Sequence, residues 1–233
     1  MDKIKEIEQF YYDNGIHSLN FTCQFKDDCG SGSNKFSGPK SAFIPDGYWN
    51  ANPRIAFLSL DSGDGYSDPT KRTPLAVRQQ EQFECRVDQL PKGRHWYETH
   101  FWTKEIYNAI SHEEITIQDT CNIFCHLNSA KCCQNKKGSR EADIKLFRNC
   151  RAYLKGELEI LRPHILITQG NNAKDSIENL AVDRKKLGDY VEKIDIGFTL
   201  LWVRTYHPSS YGFYYKQKRQ LGNIIQLLSK NYP

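Results

Sequence analysis

Arg54-Ile55-Ala56-Phe57-Leu58-Ser59-Leu60-Asp61 is a short apolar run that closes on small and acidic residues. Such a run suits a parallel strand buried on both faces, with its carboxyl end opening into a loop. That end is where α/β folds place their chemistry. Similar runs stand at 123–127, 164–168 and 198–204, and the stretches 74–85, 100–111, 141–161, 172–180 and 211–229 carry helical spacing. The helical signal is clearest in 141–161. Ile144, Phe147, Leu154, Leu158 and Leu161 recur along one face, Leu146 and Tyr153 widen the stripe, and Lys145, Arg148 and Lys155 are left for solvent. Alternating strands and helices predict an α/β three-layer sandwich with a central, mostly parallel four-stranded sheet flanked by helices.

With 233 residues, 39% of them hydrophobic, and only 15 Gly and 9 Pro, the chain has the composition of a globular protein. A single domain over 1–233 is expected, with an N-terminal helix and a cysteine-bearing loop in 1–53. Ile4, Ile7, Phe10 and Tyr11 give the helix its apolar face, and Asn14-Gly15 ends it. Residues 29–53 are rich in Gly, Ser, Asn, Lys and Pro, so they are expected to run over the surface, where they can wrap a metal site.

The first residues, Met1-Asp2-Lys3-Ile4-Lys5-Glu6, are charged where a signal peptide needs an apolar core. No apolar run approaches the roughly 18 residues of a membrane span. A soluble, cytoplasmic protein is expected, with no membrane partner and no obligate protein partner evident. Lys plus Arg total 32 against 28 Asp plus Glu, and the net charge of +4 permits a polyanionic partner without requiring one.

Eight cysteines in a chain of this kind are not expected to form disulfides in a reducing compartment. Cys121 and Cys125 sit in an apolar strand region and, like Cys85, read as buried small side chains. Cys23 and Cys29, one of the adjacent pair Cys132 and Cys133, and Cys150 within a helix offer four soft ligands for a tetrahedral zinc or a cubane iron-sulfur cluster.

Three further segments occur in a fixed order: Leu127-Asn128-Ser129-Ala130-Lys131-Cys132, then Arg148-Asn149-Cys150-Arg151-Ala152-Tyr153-Leu154, then Leu161-Arg162-Pro163-His164-Ile165-Leu166-Ile167-Thr168-Gln169-Gly170. Together with Tyr206-His207-Pro208-Ser209, they resemble the uracil-DNA glycosylase superfamily over about residues 54 to 229, and most closely its iron-sulfur branch. That branch typically reads Thr-Asn-Val-Val-Lys-Cys, a later helical cysteine, an Arg-Pro strand entry ending in Gly, and a late His-Pro-Ser. The resemblance implies a 4Fe-4S cluster, in preference to zinc, on Cys23, Cys29, Cys132 and Cys150. Five residues separate Cys23 from Cys29 where the branch usually has two, and Cys133 stands as a rival to Cys132.

The same resemblance assigns the site. His207 matches the histidine that stabilises charge on the departing base, and Asn128 the asparagine that reads the base edge. The branch's first motif, Gly-Glu-Ala-Pro-Gly, is replaced by Ser59-Leu60-Asp61-Ser62-Gly63, which puts Leu60 at the glutamate position. Asp61 falls where another branch carries aspartate in Gly-Gln-Asp-Pro-Tyr and becomes the candidate for water activation, with Asp64 in reserve. Ser62 and Gly63 complete that loop. Gly63 stands where the second branch has a tyrosine that blocks 5-substituted pyrimidines. Phe101, among Trp96, Tyr97 and Trp102, is near the family's base-stacking phenylalanine.

Ser209, Ser210, Tyr211 and Lys216 follow the histidine motif, and Tyr211, Phe213, Tyr214 and Tyr215 precede Lys216, Lys218 and Arg219. That order suits a DNA wedge and phosphate contacts. Lys131, Lys136, Lys137 and Arg140 form a second basic group with the composition of a surface. The resulting expectation is a monofunctional DNA glycosylase acting on uracil or a 5-modified pyrimidine, in repair or in defence against foreign DNA. Its rival is an inactive nucleic-acid-binding module of the same fold.

Overall fold

The computed structural model describes residues 3–32, 36–63, 68–83, 86–134 and 142–233. Strands β1 (Ile55–Asp61), β2 (Phe124–Ala130), β3 (Ile165–Gln169), β4 (Asp183–Lys186), β5 (Val191–Asp195) and β6 (Thr199–Thr205) form one six-stranded sheet in the order β2-β1-β3-β6-β5-β4. β2, β1, β3 and β6 run parallel, while β5 and β4 are antiparallel to their neighbours. The sheet therefore has six strands, not the four expected from apolar runs. β4 is Asp-Arg-Lys-Lys and exposed throughout, a charged edge that resists further pairing and carries no apolar signature.

Helices α1 (Lys3–Asp13), α2 (His95–Ser111), α3 (Ile144–Leu161), α4 (Asn171–Leu180), α5 (Tyr211–Lys218) and α6 (Leu221–Asn231) cover the two faces. Strand periodicity divides the core between them. Ala56 and Leu58 of β1 face a cluster with Tyr11 of α1, Leu154 and Leu158 of α3 and Ile177 of α4. Ile55 and Phe57 face the other way, onto Trp102 and Ile106 of α2 and Ile224 and Leu228 of α6. Each such fully buried side chain contributes about 1.5–3 kcal/mol relative to exposure.

Local chemistry sets the ends of α3. The Asp143 side chain accepts from the Lys145 N–H at the start, and Arg162, left-handed at φ 47°, ends the helix just before Pro163. Ile144, expected on the apolar face, is instead 49% exposed in this first turn.

Several other boundaries differ from expectation. α2 starts at His95, more than a turn ahead of the expected 100, and β2 runs on to Ala130, so Asn128 is a strand residue. The expected terminal helix is broken at Arg219-Gln220 into α5 and α6, and buried Gln217 anchors the end of α5, accepting from the Tyr206 N–H at 2.9 Å and donating to the Arg204 carbonyl at 2.5 Å. In 74–85, Pro74–Arg78 is α-helical and Gln79–Phe83 widens into a π turn; Cys85 lies outside the described residues, as do Asp64, Lys136, Lys137 and Arg140.

The segment 29–53 is more than a surface loop. Ala42, Phe43, Ile44 and Tyr48 are buried, and Phe43 bridges to His126 of β2. Lys131 departs from its expected surface group too: it is 2% exposed and pairs with Glu157 Oε2 at 2.5 Å, while Tyr11 donates to the other carboxylate oxygen at 2.7 Å. Burial of that ammonium is tolerable only because it is paired.

Candidate active site

β1 is flanked by β2 on one side and β3 on the other. Its carboxyl end is thus a point where the chain's path over the sheet reverses, the usual place for a ligand in an open α/β sheet. A cavity of about 350 Å³ opens there. Asp61, Ser62 and Gly63 line it from the end of β1, and Asn128 lines it from β2, where it is the register partner of Ser59. The Arg72 guanidinium donates to Ser62 Oγ at 2.5 Å and fixes that loop.

Aromatic walls come from Phe43 and Trp96, edge-to-face with centroids 5.9 Å apart. Phe101 is not among the lining residues. It packs on the core with the Lys218 ammonium 4.1 Å above its ring, whereas Trp96, five residues ahead on the same helix, reaches the cavity.

Under the cavity lies a polar hub that the sequence reading missed. Ser59 Oγ stands 2.5 Å from Gln169 Oε1, 2.8 Å from His126 Nε2 and 3.1 Å from His95 Nε2. Gln169 Nε2 donates to Thr99 Oγ1, and that hydroxyl donates to the His95 carbonyl. With the Gln169 amide so oriented, its Oε1 accepts from His95 Nε2 at 2.7 Å. A histidine inside the apolar run of β2 and a glutamine closing β3 were the available signals, since buried polar groups require partners.

His207 follows β6 and stacks on His95, with centroids 4.9 Å apart and planes 15° from parallel. Its Nδ1 accepts from the Ser209 N–H at 3.2 Å and lies 2.7 Å from Ser209 Oγ. An accepting Nδ1 puts the neutral ring's proton on Nε2. Burial, with His95 alongside, pushes the His207 pKa down to about 4. Burial lowers His95 and takes His126 well below its ordinary range, and His100 down to about 3.

Those histidines tie stability to pH. Each binds a proton more readily in the unfolded chain, near 6.5, than in the fold. Their contribution is therefore intact above pH 6.5 and is lost as pH falls towards 4 and 3. Fully buried His100 alone is expected to cost about 2 kcal/mol at pH 5 relative to pH 7. Denaturant midpoints measured at both pH values should show the loss, and His100→Gln should flatten part of it. Equal midpoints at pH 7 and 5 would contradict buried neutral imidazoles.

Elsewhere, Cys23, Cys29, Cys132 and Cys150 line one void of about 10 Å³, closed by Phe21, Phe25 and Tyr153. Three of the sulfurs accept N–H groups: Cys23 from Phe25 N at 3.4 Å, Cys29 from Asn149 Nδ2 at 3.3 Å and Cys150 from Lys131 N at 3.3 Å. Burial raises the Cys29 and Cys132 thiols and takes Cys150 up to about 11, so thiolates there need a positive centre to replace their protons. Soft donors with N–H groups aimed at sulfur fit a thiolate-bound metal group, although a cluster requires the four thiols to spread. No three His, Cys, Asp or Glu among the described residues are spaced to hold a single ion. Cys133 is buried on the short strand Cys133–Gln134 and does not line the void, and Cys121 and Cys125 are buried as expected.

The family model of the Uracil DNA glycosylase superfamily matches residues 47–229, which include every strand end around the cavity. The chain belongs to the uracil-DNA glycosylase superfamily. No curated protein matches it. Superfamily members are DNA glycosylases and act on DNA. Beside the superfamily's strand ends, Ser209, Ser210 and Tyr211 are exposed next to His207, with the exposed rings of Tyr206 and Phe213 5.3 Å apart. Lys216 is exposed but lines a separate cavity of about 510 Å³ with Tyr190 and Leu227. No helix among the described residues is long and apolar enough to cross a membrane.

Proposed function

We propose that this chain is a monofunctional DNA glycosylase that hydrolyses the N-glycosidic bond of a flipped pyrimidine, uracil or a 5-modified base, and leaves an abasic site. The observation that carries the reading is the meeting of Asp61 and Asn128 on one cavity wall, with His207 beside it, stacked on the cavity-lining His95 and tethered by Ser209. Flipping costs a few kcal/mol of stacking and pairing, and the exposed Tyr206, Tyr211 and Phe213 are suited to fill the gap left in the duplex.

In this mechanism the N1–C1′ bond breaks, and its electron pair leaves with the base. The His207 Nε2–H donates to the base O2, where the charge develops. Asn128 donates to and accepts from the Watson–Crick edge. Water adds its oxygen to C1′ and gives its proton to Asp61. No lysine nucleophile is invoked, so the product is an intact abasic strand.

Cys23, Cys29, Cys132 and Cys150 would hold a 4Fe-4S cluster that crosslinks the N-terminal segment to α3 and supplies no step of the hydrolysis. Purified protein is then expected to absorb visible light, and Cys150→Ala to lose both the colour and thermal stability. Colourless protein containing zinc would refute the cluster.

The main test uses duplexes carrying uracil, a thymine mismatch or a 5-modified cytosine, scored for alkali-labile abasic sites. Product from at least one is expected. Leu60, at the motif position of the glutamate, is buried against Gly170 and favours the rival reading of an inactive DNA-binding module. Binding without product from any base would establish that rival.

A further inference from the structure

Resting on the glycosylase reading above, we infer that the preferred base is a pyrimidine bearing a neutral, hydroxyl-rich substituent at C5, read by Lys40 and Glu81. A cavity of about 350 Å³ is of the size that takes a small-molecule ligand, more than a bare pyrimidine ring needs. With Asn128 on the Watson–Crick edge and the sugar on N1, the C5 side of the ring is what remains to face the surplus space.

The residues around that space are of a different origin from the strand ends. Lys40, Ser41 and Phe43 precede residue 47, where the superfamily match begins, and Glu81 comes from the π turn Gln79–Phe83. Lys40 Nζ lies 3.9 Å from Glu81 Oε1, with the two side chains 25% and 20% exposed. An anionic substituent would meet the carboxylate, and a cationic one the ammonium. A methyl group would displace water from both and return no hydrogen bond. Hydroxyl groups donate to Glu81 and accept from Lys40, so they match both ends of the pair. The Phe43 and Trp96 rings add apolar faces against which the C–H surface of a sugar can pack.

Gly63 lines the cavity at φ +62°, and among the described residues a Cβ built there meets nothing within 4 Å, so position 63 itself sets no side chain against a C5 substituent.

Three duplexes identical except for one base test the inference with the full chain: uracil, 5-hydroxymethylcytosine and its glucosylated form. The glucosylated base is expected to be excised with a kcat/KM at least about 100-fold above uracil, since a site built to bond hydroxyls discriminates strongly against bases that lack them. Lys40→Ala and Glu81→Gln should each shrink that ratio about 10-fold. Two substrates compared on one preparation cancel any difference in folded fraction. Uracil excised as fast as the glucosylated base, or a ratio that neither variant moves, overturns the inference and leaves the glycosylase reading standing. Failure to release any of the three bases, with duplex binding retained, overturns both.

Discussion

Asp61→Asn is expected to lower the single-turnover excision rate by about 10²- to 10⁴-fold, the range for losing a positioned general base, while folding and duplex binding persist. Asparagine keeps the size and hydrogen-bonding reach of the side chain but cannot take a proton from water. At the end of β1, Asp61 is half-buried on the cavity wall, and its strand neighbour Leu60 is turned into packing, 3.0 Å from a Cβ placed on Gly170. A carboxylate at position 60 would be buried there without access to water, so Leu60→Glu in the Asp61→Asn background is not expected to restore activity. Circular dichroism separates lost chemistry from lost fold. Wild-type rates in Asp61→Asn would remove this residue from water activation.

The contrast between positions 60 and 61 also shows what was legible in the sequence. β1, β2, β3 and β6 announce themselves because parallel strands covered on both faces read as apolar runs. β4 was hidden by its charge, which keeps an exposed sheet edge from pairing further, and β5 by its brevity and its mixture of apolar and charged residues, Val-Glu-Lys-Ile-Asp. Ordered motifs led to His207 and Asn128, which lie at the candidate site, but not to Ser59, His95, His126 and Gln169, whose contacts exist only across four separate elements. Phe101 was chosen over Trp96 on the resemblance to a family phenylalanine, and sequence order could not show that the two, five residues apart on α2, point to different sides, Trp96 to the cavity and Phe101 to the core. Charge pattern alone also could not separate Lys131, sealed against Glu157, from solvated lysines.

His207→Ala is expected to cost about 10²–10³-fold in the excision rate, as removal of a single oxyanion donor does, equivalent to roughly 3–4 kcal/mol of barrier. What distinguishes this role from a structural one is protonation. With its pKa pushed down to about 4 and Nδ1 accepting from the Ser209 N–H, the ring is neutral with its proton on Nε2 through the whole physiological range, as the proposed donor role requires. The rate in wild-type protein should therefore show no inflection from this residue near pH 6.5, and nitrogen chemical shifts of the ring should report the Nε2–H tautomer at pH 7. Below pH 4 a second proton on Nδ1 would displace the Ser209 N–H and release the ring from its tether. In the proposed mechanism His207 and Asp61 act at opposite ends of one transition state, so the double variant should lose less than the product of the single losses. A rate that climbs as pH drops through 6.5 would identify an imidazolium donor and refute the neutral assignment. Full activity in His207→Ala would remove the residue from the chemistry altogether.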